Sequence, residues 1–234
     1  MKIALLGYGK MGRVIEQLAV EAGHTVVATR TRDHAIGTLA DADVAIEFSA
    51  PEAAVNHLRE CIEAKIPVVC GTTGWLEHYP AITALCQRHQ GALVYASNFS
   101  IGVQLFFHLN EHLAHLMKDY PSYKPSIEEI HHVQKLDAPS GTAISLSQPI
   151  IEFGVPKQWS LDPETDPETL SIKAIRQGQV NGTHSVRYQS PIDTIEITHQ
   201  AHSREGFAHG ALMAAEWITD KTGVFSMKDV LNLT

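Results

Sequence analysis

The chain has 234 residues, of which 44% are hydrophobic and 19% charged, so it contains enough apolar material for a folded core. Its formal net charge of -8 at pH 7, with no long basic run, excludes a general nucleic-acid-binding protein. No apolar segment reaches the length of a secretory signal or a membrane-spanning helix, so we expect a cytoplasmic protein without a membrane partner.

The first half of the chain alternates short apolar strands with amphipathic helices. Strands are predicted at 2–6, 25–30, 41–49, 66–74 and 92–100. Helices are predicted between them, at 13–24, 51–65 and 79–91. This alternation is typical of a doubly wound parallel sheet, so residues 1–100 are expected to form an α/β domain of the Rossmann type.

The pattern changes after about residue 100. A long helix at 103–120 precedes a strand at 126–132, and the acidic segment 161–170 is expected to be an exposed loop. Three further strand-like runs then follow without helices between them, at 170–177, 183–190 and 194–203. Such runs favour an antiparallel or mixed sheet, and therefore a second, α+β domain with an open mixed sheet.

A glycine motif joins the first strand to the first helix. Gly7, Gly9 and Gly12 form a GxGxxG sequence inside a βαβ unit, which is the context of a dinucleotide site. Gly7 would make the tight turn, Gly9 would let the backbone approach a pyrophosphate, and Gly12 would allow close helix–strand packing. The alternative is a loop that needs glycine only for its turn.

Two later strands of the first domain also end in small polar residues. "GTTG" at 71–74 and "ASNFS" at 96–100 are suited to holding a nicotinamide and its ribose, although each alone is an ordinary turn. Cys70 precedes the first of them and is an alternative nucleophile, but a cysteine at the end of an apolar strand is more often packed. The three cysteines are odd in number and lack CxxC spacing, so no disulfide framework is expected.

The end of the second strand predicts the preferred cofactor. The residue that reads the adenosine ribose in such a domain lies about 20 residues after the glycine loop. Here Thr29, Arg30 and Arg32 occupy that region, and Lys10 in the glycine loop adds a positive charge. Guanidinium groups pair well with a 2′-phosphate, which favours NADPH over NADH. Alternatively, the arginines form structural ion pairs, or Asp33 turns inward.

Residues 128–142, "EEIHHVQKLDAPSGT", gather groups suited to proton transfer and anion binding. His131 can deliver a proton near neutral pH, and Lys135 adds a positive charge beside it. "PSGTA" is typical of a helix N-terminus, with Asp137 or Ser140 as the cap and Pro139 near the first turn. Free backbone N–H groups of Ser140, Gly141 and Thr142 would then bind a carboxylate or phosphate.

No metal is expected in this segment. On an extended strand His131 and His132 point to opposite faces, which disfavours a metal-binding pair. The sequence also contains no HExxH motif and no Cys/His spacing typical of zinc sites.

The segment "EEIHHVQKLDAPSGTA" resembles the signature of the dihydrodipicolinate reductase (4-hydroxy-tetrahydrodipicolinate reductase) family. The resemblance extends to "FSAPEA", "GTTG", "ASNFSIGV", "EITHQAHSREGFAHGA" and "GVFSMKDVL", and so covers essentially the whole chain. It implies a dinucleotide-binding domain of residues 1–100 and 207–234, interrupted by a substrate-binding and oligomerisation domain of residues 101–206. It also implies a homotetramer built through the sheets of the second domain.

The same resemblance implies an NAD(P)H-dependent oxidoreductase. This enzyme would reduce 4-hydroxy-tetrahydrodipicolinate to tetrahydrodipicolinate, with loss of water, in the diaminopimelate route to lysine. His131 matches the position of the proton donor and Lys135 that of the catalytic lysine, while His132 matches a substrate contact. Gly141 and Thr142 match the carboxylate-binding pair, next to Ser140.

The expected cofactor-binding residues combine the glycine motif, the second strand end and the two later segments. They are Gly7, Tyr8, Gly9, Lys10, Met11, Gly12, Arg30, Gly71, Thr72, Thr73, Ala96, Ser97, Asn98 and Phe99. The glycine loop is one residue shorter than in many members, and less sequence separates the second strand from the fourth. These departures concern the details of the adenosine pocket and not the chemistry. A cofactor-binding regulator without turnover, and a semialdehyde dehydrogenase that uses Cys70, are the rival interpretations.

Overall fold

The computed structural model describes residues 1–161, 166, 168–203 and 205–233. The chain divides into two compact units. Unit 1 consists of Met1–Gln104 together with Glu205–Thr234, and unit 2 consists of Leu105–Arg204.

Unit 1 is built on a seven-stranded sheet. Its strands are β1 (Lys2–Leu6), β2 (Thr25–Arg30), β3 (Ala35–Ile36), β4 (Val44–Glu47), β5 (Val68–Cys70), β6 (Ala92–Tyr95) and β12 (Gly223–Phe225). Their order in the sheet is β12-β6-β5-β4-β1-β2-β3. Neighbouring strands pair in parallel, except that the edge strand β3 runs antiparallel to β2.

Helices cover both faces of this sheet. They are α1 (Lys10–Glu21), α2 (Pro51–Glu63), α3 (Tyr79–His89), the first turn of α4 (Ile101–Met117), α6 (Glu205–Ile218) and α7 (Met227–Val230). Along β1, Ile3 and Leu5 face a core shared with α1 and α6, whereas Ala4 and Leu6 face a core shared with α2 and α3. Because successive strand residues point to opposite faces, one apolar strand supplies both cores. The doubly wound Rossmann-type sheet is therefore confirmed.

The sequence predicted the presence of most helices and strands of unit 1 correctly, but predicted their first and last residues less well. Helix α1 begins at Lys10, within the glycine motif and three residues earlier than predicted. Strands β3 and β12 were not predicted, because elements of two and three residues are too short to show a periodicity.

The strand order places a switch point between β1 and β4. The chain continues from β1 through α1 to β2 on one side, and β4 then pairs with β1 on the other side. Loops after the two strands diverge there and leave a crevice beyond the carboxyl ends, where open α/β sheets bind their ligands.

Unit 2 contains a five-stranded mixed sheet in the order β11-β10-β7-β9-β8. The strands are β7 (Lys124–His131), β8 (Gln158–Ser160), β9 (Thr169–Arg176), β10 (Thr183–Gln189) and β11 (Thr194–Gln200). Strand β10 runs antiparallel to β7 and β11, whereas β9 runs parallel to β7 and β8. The expected open mixed sheet is confirmed, with β8 as a short strand that was not predicted. In the acidic segment predicted as a loop, residues 162–165 and 167 lie outside the described residues.

One face of this sheet packs against α5 (Gly141–Phe153) and the unit 2 part of α4. Ile127, Ile172 and Val186 meet in its core, since Ile127 is opposite both of the others in the strand register. Glu129 and His131 follow Ile127 at intervals of two on β7 and are buried on the same face. The core face of the sheet therefore carries two ionisable groups at one end.

Within the described part of the chain, no helix combines the length and apolar character needed to cross a membrane.

Gly210 of α6 lies against the backbone of residue 99, which leads to a stability prediction. A Cβ at this position would lie 1.7 Å from the carbonyl oxygen of Phe99, so Gly210→Ala must push the helix away from its core. We expect a loss of about 1–3 kcal/mol in unfolding free energy, as for other overpacked cores. Thermal and urea unfolding followed by circular dichroism would measure it.

Gly206 provides the matched control on the same helix. A Cβ there would meet Ser100 Oγ at 3.4 Å, an ordinary contact. Gly206→Ala should therefore leave stability unchanged or raise it by up to about 1 kcal/mol through helix propensity. Equal midpoints for the two variants would contradict the close packing at Gly210.

Candidate functional site

A cleft of about 550 Å³ opens at the switch point of unit 1. It lies at the carboxyl ends of β1, β2 and β4, where their three loops meet. Its lining residues are Gly7, Tyr8, Gly9, Arg30, Thr31, Arg32, Phe48, Ser49, Ala50, Glu52, Ala53 and His57.

The three motif glycines have different surroundings in this cleft. Gly7 has a φ of 107°, and a Cβ there would lie 2.0 Å from the Phe48 carbonyl oxygen, so the turn requires glycine. A Cβ on Gly12 would lie 2.4 Å from the carbonyl oxygen of Gly7, so α1 packs directly on the loop. Gly9 has no atom within 4 Å of that position, and its backbone is open to the cleft. These surroundings fit a dinucleotide, with Gly9 facing the pyrophosphate.

The other residues of the glycine loop have varied roles. Lys10 is exposed at the first position of α1, and Met11 packs against the core of unit 1. The Tyr8 hydroxyl donates to Glu16, and the Arg13 guanidinium lies 5.3 Å from the centre of the Tyr8 ring. Tyr8 is thus held at the edge of the cleft by two residues of α1.

The segments after β5 and β6 are held together by hydrogen bonds within unit 1. Thr72 Oγ1 accepts a bond of 2.8 Å from the backbone amide of Ser49, and Asn98 Oδ1 accepts one of 2.9 Å from that of Ser100. The Phe99 side chain is buried in the core against the Phe48 ring. Thr72, Asn98 and Phe99 therefore shape these loops, whereas Thr73 and Ser97 have exposed side chains. Gly71 and Ala96 continue the ends of β5 and β6, where Ala96 N donates to Cys70 O.

Arg30 lies at the edge of the cleft, and its guanidinium forms an ion pair with Glu60 of α2. Arg32 and Asp33 are both exposed beyond it. The structural ion pair that the sequence left as an alternative is thus present at Arg30, while Arg32 lines the same cleft.

Cys70 lies in a fully buried polar cluster and is a poor nucleophile. Its Sγ lies 3.3 Å from an oxygen of Glu47, a carboxylate with 0% exposure that also contacts His57 at 3.3 Å. Burial, followed by the nearby Glu47 charge, strongly raises the pKa of the Cys70 thiol. Because the thiolate is the reactive form, this environment contradicts the use of Cys70 by a semialdehyde dehydrogenase.

In unit 2 a network is centred on Glu129, whose side chain is fully buried. One carboxylate oxygen, Oε2, lies 2.8 Å from His131 Nδ1 and 3.9 Å from His184 Nε2. The other, Oε1, accepts bonds of 3.0 Å from the Ser140 amide and from Arg176 Nη2. One carboxylate thus contacts groups from β9, β10, its own strand and the cap of α5.

Ser140 is the N-cap of α5, and its contacts correct one expectation. Its Oγ accepts from the amide of Ala143 at 3.2 Å and lies 3.1 Å from His184 Nε2. Its own amide is not free, because it donates to Glu129. Pro139 directly precedes the cap, near the first turn as expected, and of the two expected caps Ser140 takes the position and Asp137 does not. The amides of Gly141 and Thr142 are the first two of the helix, which have no intrahelical acceptor.

The turn before α5 is organised by Arg176. Its Nε donates to the carbonyl oxygen of Lys135 at 3.3 Å and its Nη2 to that of Asp137 at 2.6 Å. Lys135 Nζ lies 2.8 and 2.9 Å from the two carboxylate oxygens of Asp137, whose pKa is lowered mainly by this hydrogen bond. His132 is half-buried just beyond the end of β7. The structure therefore brings His131, Lys135 and the start of α5 together around Glu129 and Arg176.

The charge state of the network follows from its contacts. Burial raises the pKa of Glu129, but the groups around it outweigh burial, with His131 first, then Ser140 and Arg176, and lower the pKa to about 2. Burial, followed by the charge of His131, lowers the pKa of His184 to about 4. At neutral pH Glu129 is therefore an anion and His184 is neutral.

Glu129, His131 and His184 also bring three possible metal ligands within 4.8 Å of one another. Sequence spacing did not reveal this group, because His184 lies on a different strand. However, Oε1 of Glu129 already accepts from Arg176, whose fixed positive charge opposes a divalent cation at the same carboxylate. We interpret the group as a charged hydrogen-bonding network.

Sequence reasoning missed Glu129, Arg176 and His184. A signal for Glu129 was present, since Ile127, Glu129 and His131 alternate on one strand face and a charge on the apolar face is unusual. Arg176 and His184 gave no comparable signal, because the pairing of β7 with β9 and β10 brings them to His131 and Glu129.

The cysteines lead to a prediction about thiol reactivity. Cys61, Cys70 and Cys86 are all free and buried, and burial raises the pKa of Cys61 to about 12 and that of Cys86 as well. Native protein at pH 8 should therefore react with a chromogenic disulfide reagent only slowly, whereas protein unfolded in guanidinium should release the full signal at once. One rapid equivalent in the native state would restore Cys70 as a nucleophile candidate.

Both halves of the chain match models of one protein family. Residues 1–99 match the family model described as dihydrodipicolinate reductase, N-terminus, and residues 102–231 match the model of the C-terminus. The chain is 51% identical to the 4-hydroxy-tetrahydrodipicolinate reductase of Christiangramia forsetii, over 99% of this chain and 98% of the relative. It is 33% identical to the protein of the same name from Neisseria meningitidis serogroup C, over 100% of this chain and 98% of the relative.

A solved structure has the same fold. Dipicolinate-bound dihydrodipicolinate reductase from Paenisporosarcina sp. TG-14 superposes with a TM-score of 0.79 at 21% identity, covering 100% of this chain and 99% of that chain. With both family models matched and a relative of 51% identity along its whole length, the chain belongs to the dihydrodipicolinate reductase family.

Proposed function

We propose that this chain reduces 4-hydroxy-tetrahydrodipicolinate to tetrahydrodipicolinate, with loss of water, in the diaminopimelate route to lysine. The names of the full-length relatives support this reaction. The observation that carries the chemistry is the contact of the Glu129 carboxylate with both His131 and the cap of α5. The contact connects His131, the proposed proton donor, and the start of α5, the proposed anion-binding site, to one buried group.

The cleft of unit 1 is the proposed cofactor site, because the open backbone at Gly9 and the close packing at Gly7 and Gly12 fit a dinucleotide. The segments 7–12, 71–73 and 96–99 would hold NADPH or NADH. When bound, the reduced nicotinamide supplies a hydride. Positive charge from Lys10, Arg30 and Arg32 favours NADPH, although Glu60 partly neutralises Arg30.

The groups of unit 2 supply the remaining chemistry. The amides of Gly141 and Thr142 receive a carboxylate of the substrate, because the first turn of a helix carries unpaired N–H groups. His131 delivers a proton to the reduced ring, and Lys135 contributes positive charge beside it. His132 contacts the substrate. Ser140 acts through its cap and its bond to Glu129, not as a free donor.

The assembly and location also belong to this proposal. Charged and polar side chains occupy the sheet face of unit 2 opposite α5, including Glu128, Lys173, Arg187 and Glu196. Complementary pairs of this kind suit a polar contact between copies, and we propose a homotetramer formed through this face. With a formal net charge of -8 we propose a cytoplasmic enzyme without a nucleic-acid partner.

The first test is a coupled assay in which dihydrodipicolinate synthase supplies the substrate and NADPH oxidation is followed by absorbance. Wild-type protein should oxidise NADPH only when the synthase is active. His131→Gln should lower kcat by about 10²–10⁴-fold, as expected for a general acid, while NADPH affinity stays unchanged. His89→Gln, at the end of α3 in unit 1, is the control and should behave as wild type. Near-normal turnover in His131→Gln would remove His131 from the proton step.

The second test concerns the cofactor. Arg30→Ala should weaken NADPH by about tenfold or more, the effect of one bond to a charged group, and leave NADH nearly unchanged. Titration of intrinsic protein fluorescence with each cofactor would measure both dissociation constants. Arg59→Ala, an exposed arginine next to Glu60 on α2, is the control. Equal losses for the two cofactors in Arg30→Ala would show that Arg30 does not recognise the 2′-phosphate.

A further inference from the structure

We infer that Glu129 is a positioning residue for the proposed reaction: its buried carboxylate orients His131 for proton delivery and ties it to the start of α5. The inference rests on the proposed function for the identity of the reaction. The geometry on which it depends is independent of that identity.

The carboxylate is fully buried, so each of its oxygens must be compensated by the protein. Oε1 receives the Ser140 amide and Arg176 Nη2, both at 3.0 Å, and Oε2 faces His131 Nδ1 at 2.8 Å. A mobile side chain could not satisfy both sets of contacts. Glu129 is therefore fixed, and the His131 ring is fixed against it.

The ionised carboxylate also determines which nitrogen of His131 meets the substrate. His131 Nδ1 lies 2.8 Å from Oε2, within ion-pair distance but outside hydrogen-bond geometry. Because an ionised carboxylate only accepts hydrogen bonds, this contact favours the tautomer with the hydrogen on Nδ1. Nε2 then remains as the nitrogen that exchanges a proton with a ligand. Gly182 borders this nitrogen, and a Cβ there would lie 3.1 Å from Nε2, so glycine leaves room on that side.

The other charged groups near His131 do not replace Glu129. From β10, the His184 ring packs edge-on at 5.0 Å between centres and is neutral, and from β11 His199 lies opposite His184 in the register. From β9, Arg176 is a cation that shares Glu129. From the turn before α5, Lys135 is paired with Asp137. Among the residues that the structure describes, Glu129 is the carboxylate within ion-pair distance of His131.

A single network thus links the two parts of the proposed substrate site. Arg176 holds the backbone of Lys135 and Asp137 while it binds Glu129, and Ser140 binds Glu129 while it caps α5. Removing the carboxylate would release the proton donor and the helix start together. The reaction should therefore depend on Glu129 even though the substrate need not contact it.

The test compares kcat and KM of wild type, Glu129→Gln and Glu129→Asp in the coupled assay. We expect kcat of Glu129→Gln to fall at least about tenfold, since an orienting carboxylate in serine proteases contributes about 10⁴-fold. Glu129→Asp keeps a carboxylate, so it should retain more of the wild-type kcat than Glu129→Gln does.

Glu152→Gln is the matched control. Glu152 is an exposed glutamate on α5 in the same unit. Its kcat and KM should match those of wild type. If only the shape of the side chain mattered, Glu129→Gln, which has the shape of glutamate, would be more active than Glu129→Asp. That order, or a kcat of Glu129→Gln near that of wild type, would overturn the inference.

A measurement without turnover separates this inference from the proposed function. In protein labelled with ring-¹⁵N histidine, the His131 signals are identified by their loss in His131→Gln and compared without substrate. They should show a hydrogen on Nδ1 in wild type and a changed distribution of the hydrogen between Nδ1 and Nε2 in Glu129→Gln. Wild type that shows the hydrogen on Nδ1 but no reductase activity would sink the proposed function alone. The same distribution in both proteins would sink the role of Glu129 alone, and if Glu129→Gln does not fold, Glu129→Asp and the wild-type tautomer still decide it.

Discussion

The buried charge of Glu129 is the constraint on which the organisation of unit 2 depends. An ionised carboxylate inside a protein is costly unless donors surround it, and here the donors come from β9, the cap of α5 and the end of β7 itself. The strand register, the start of α5 and the turn at 135–137 must all be correct for these contacts to form together. The fold and the proposed function therefore share one interaction, and the energetic cost of burying the charge is compensated only in the native arrangement.

Much of the fold could be predicted because its determinants are local. The alternation of apolar strands and amphipathic helices identified the doubly wound sheet, and the helix-free runs after residue 170 identified the mixed sheet. Gly7, Gly9 and Gly12 have the surroundings that the motif requires: Gly7 packs against the backbone after the adjacent strand, Gly12 packs against Gly7, and Gly9 is open. Short edge strands such as β3 escaped prediction, since two residues carry no period.

The candidate site residues could likewise be predicted where their determinants are local in the sequence. His131, Lys135, Ser140, Gly141 and Thr142 belong to one continuous segment, and the sequence identified them together. The sequence did not show that the Ser140 amide donates to Glu129, nor that Arg30 is paired with Glu60. Both contacts join residues that are separated along the chain. The polar cluster of Glu47, His57 and Cys70 could not be predicted for the same reason. Its contacts show that Cys70, which the sequence offered as a possible nucleophile, is a buried thiol with a raised pKa.

Gly182 has a consequence for the evolution of this site and for its inhibition. Its φ of 148° disfavours any other residue, and a methyl group there would touch His131 Nε2, so both backbone and space restrict this position to glycine. Natural variation can therefore alter the loop between β9 and β10 around this residue without filling the space it leaves. That space is a permanent feature beside Nε2, the nitrogen proposed to deliver the proton, and a small hydrogen-bond acceptor attached to a dicarboxylate scaffold would have a defined place to enter.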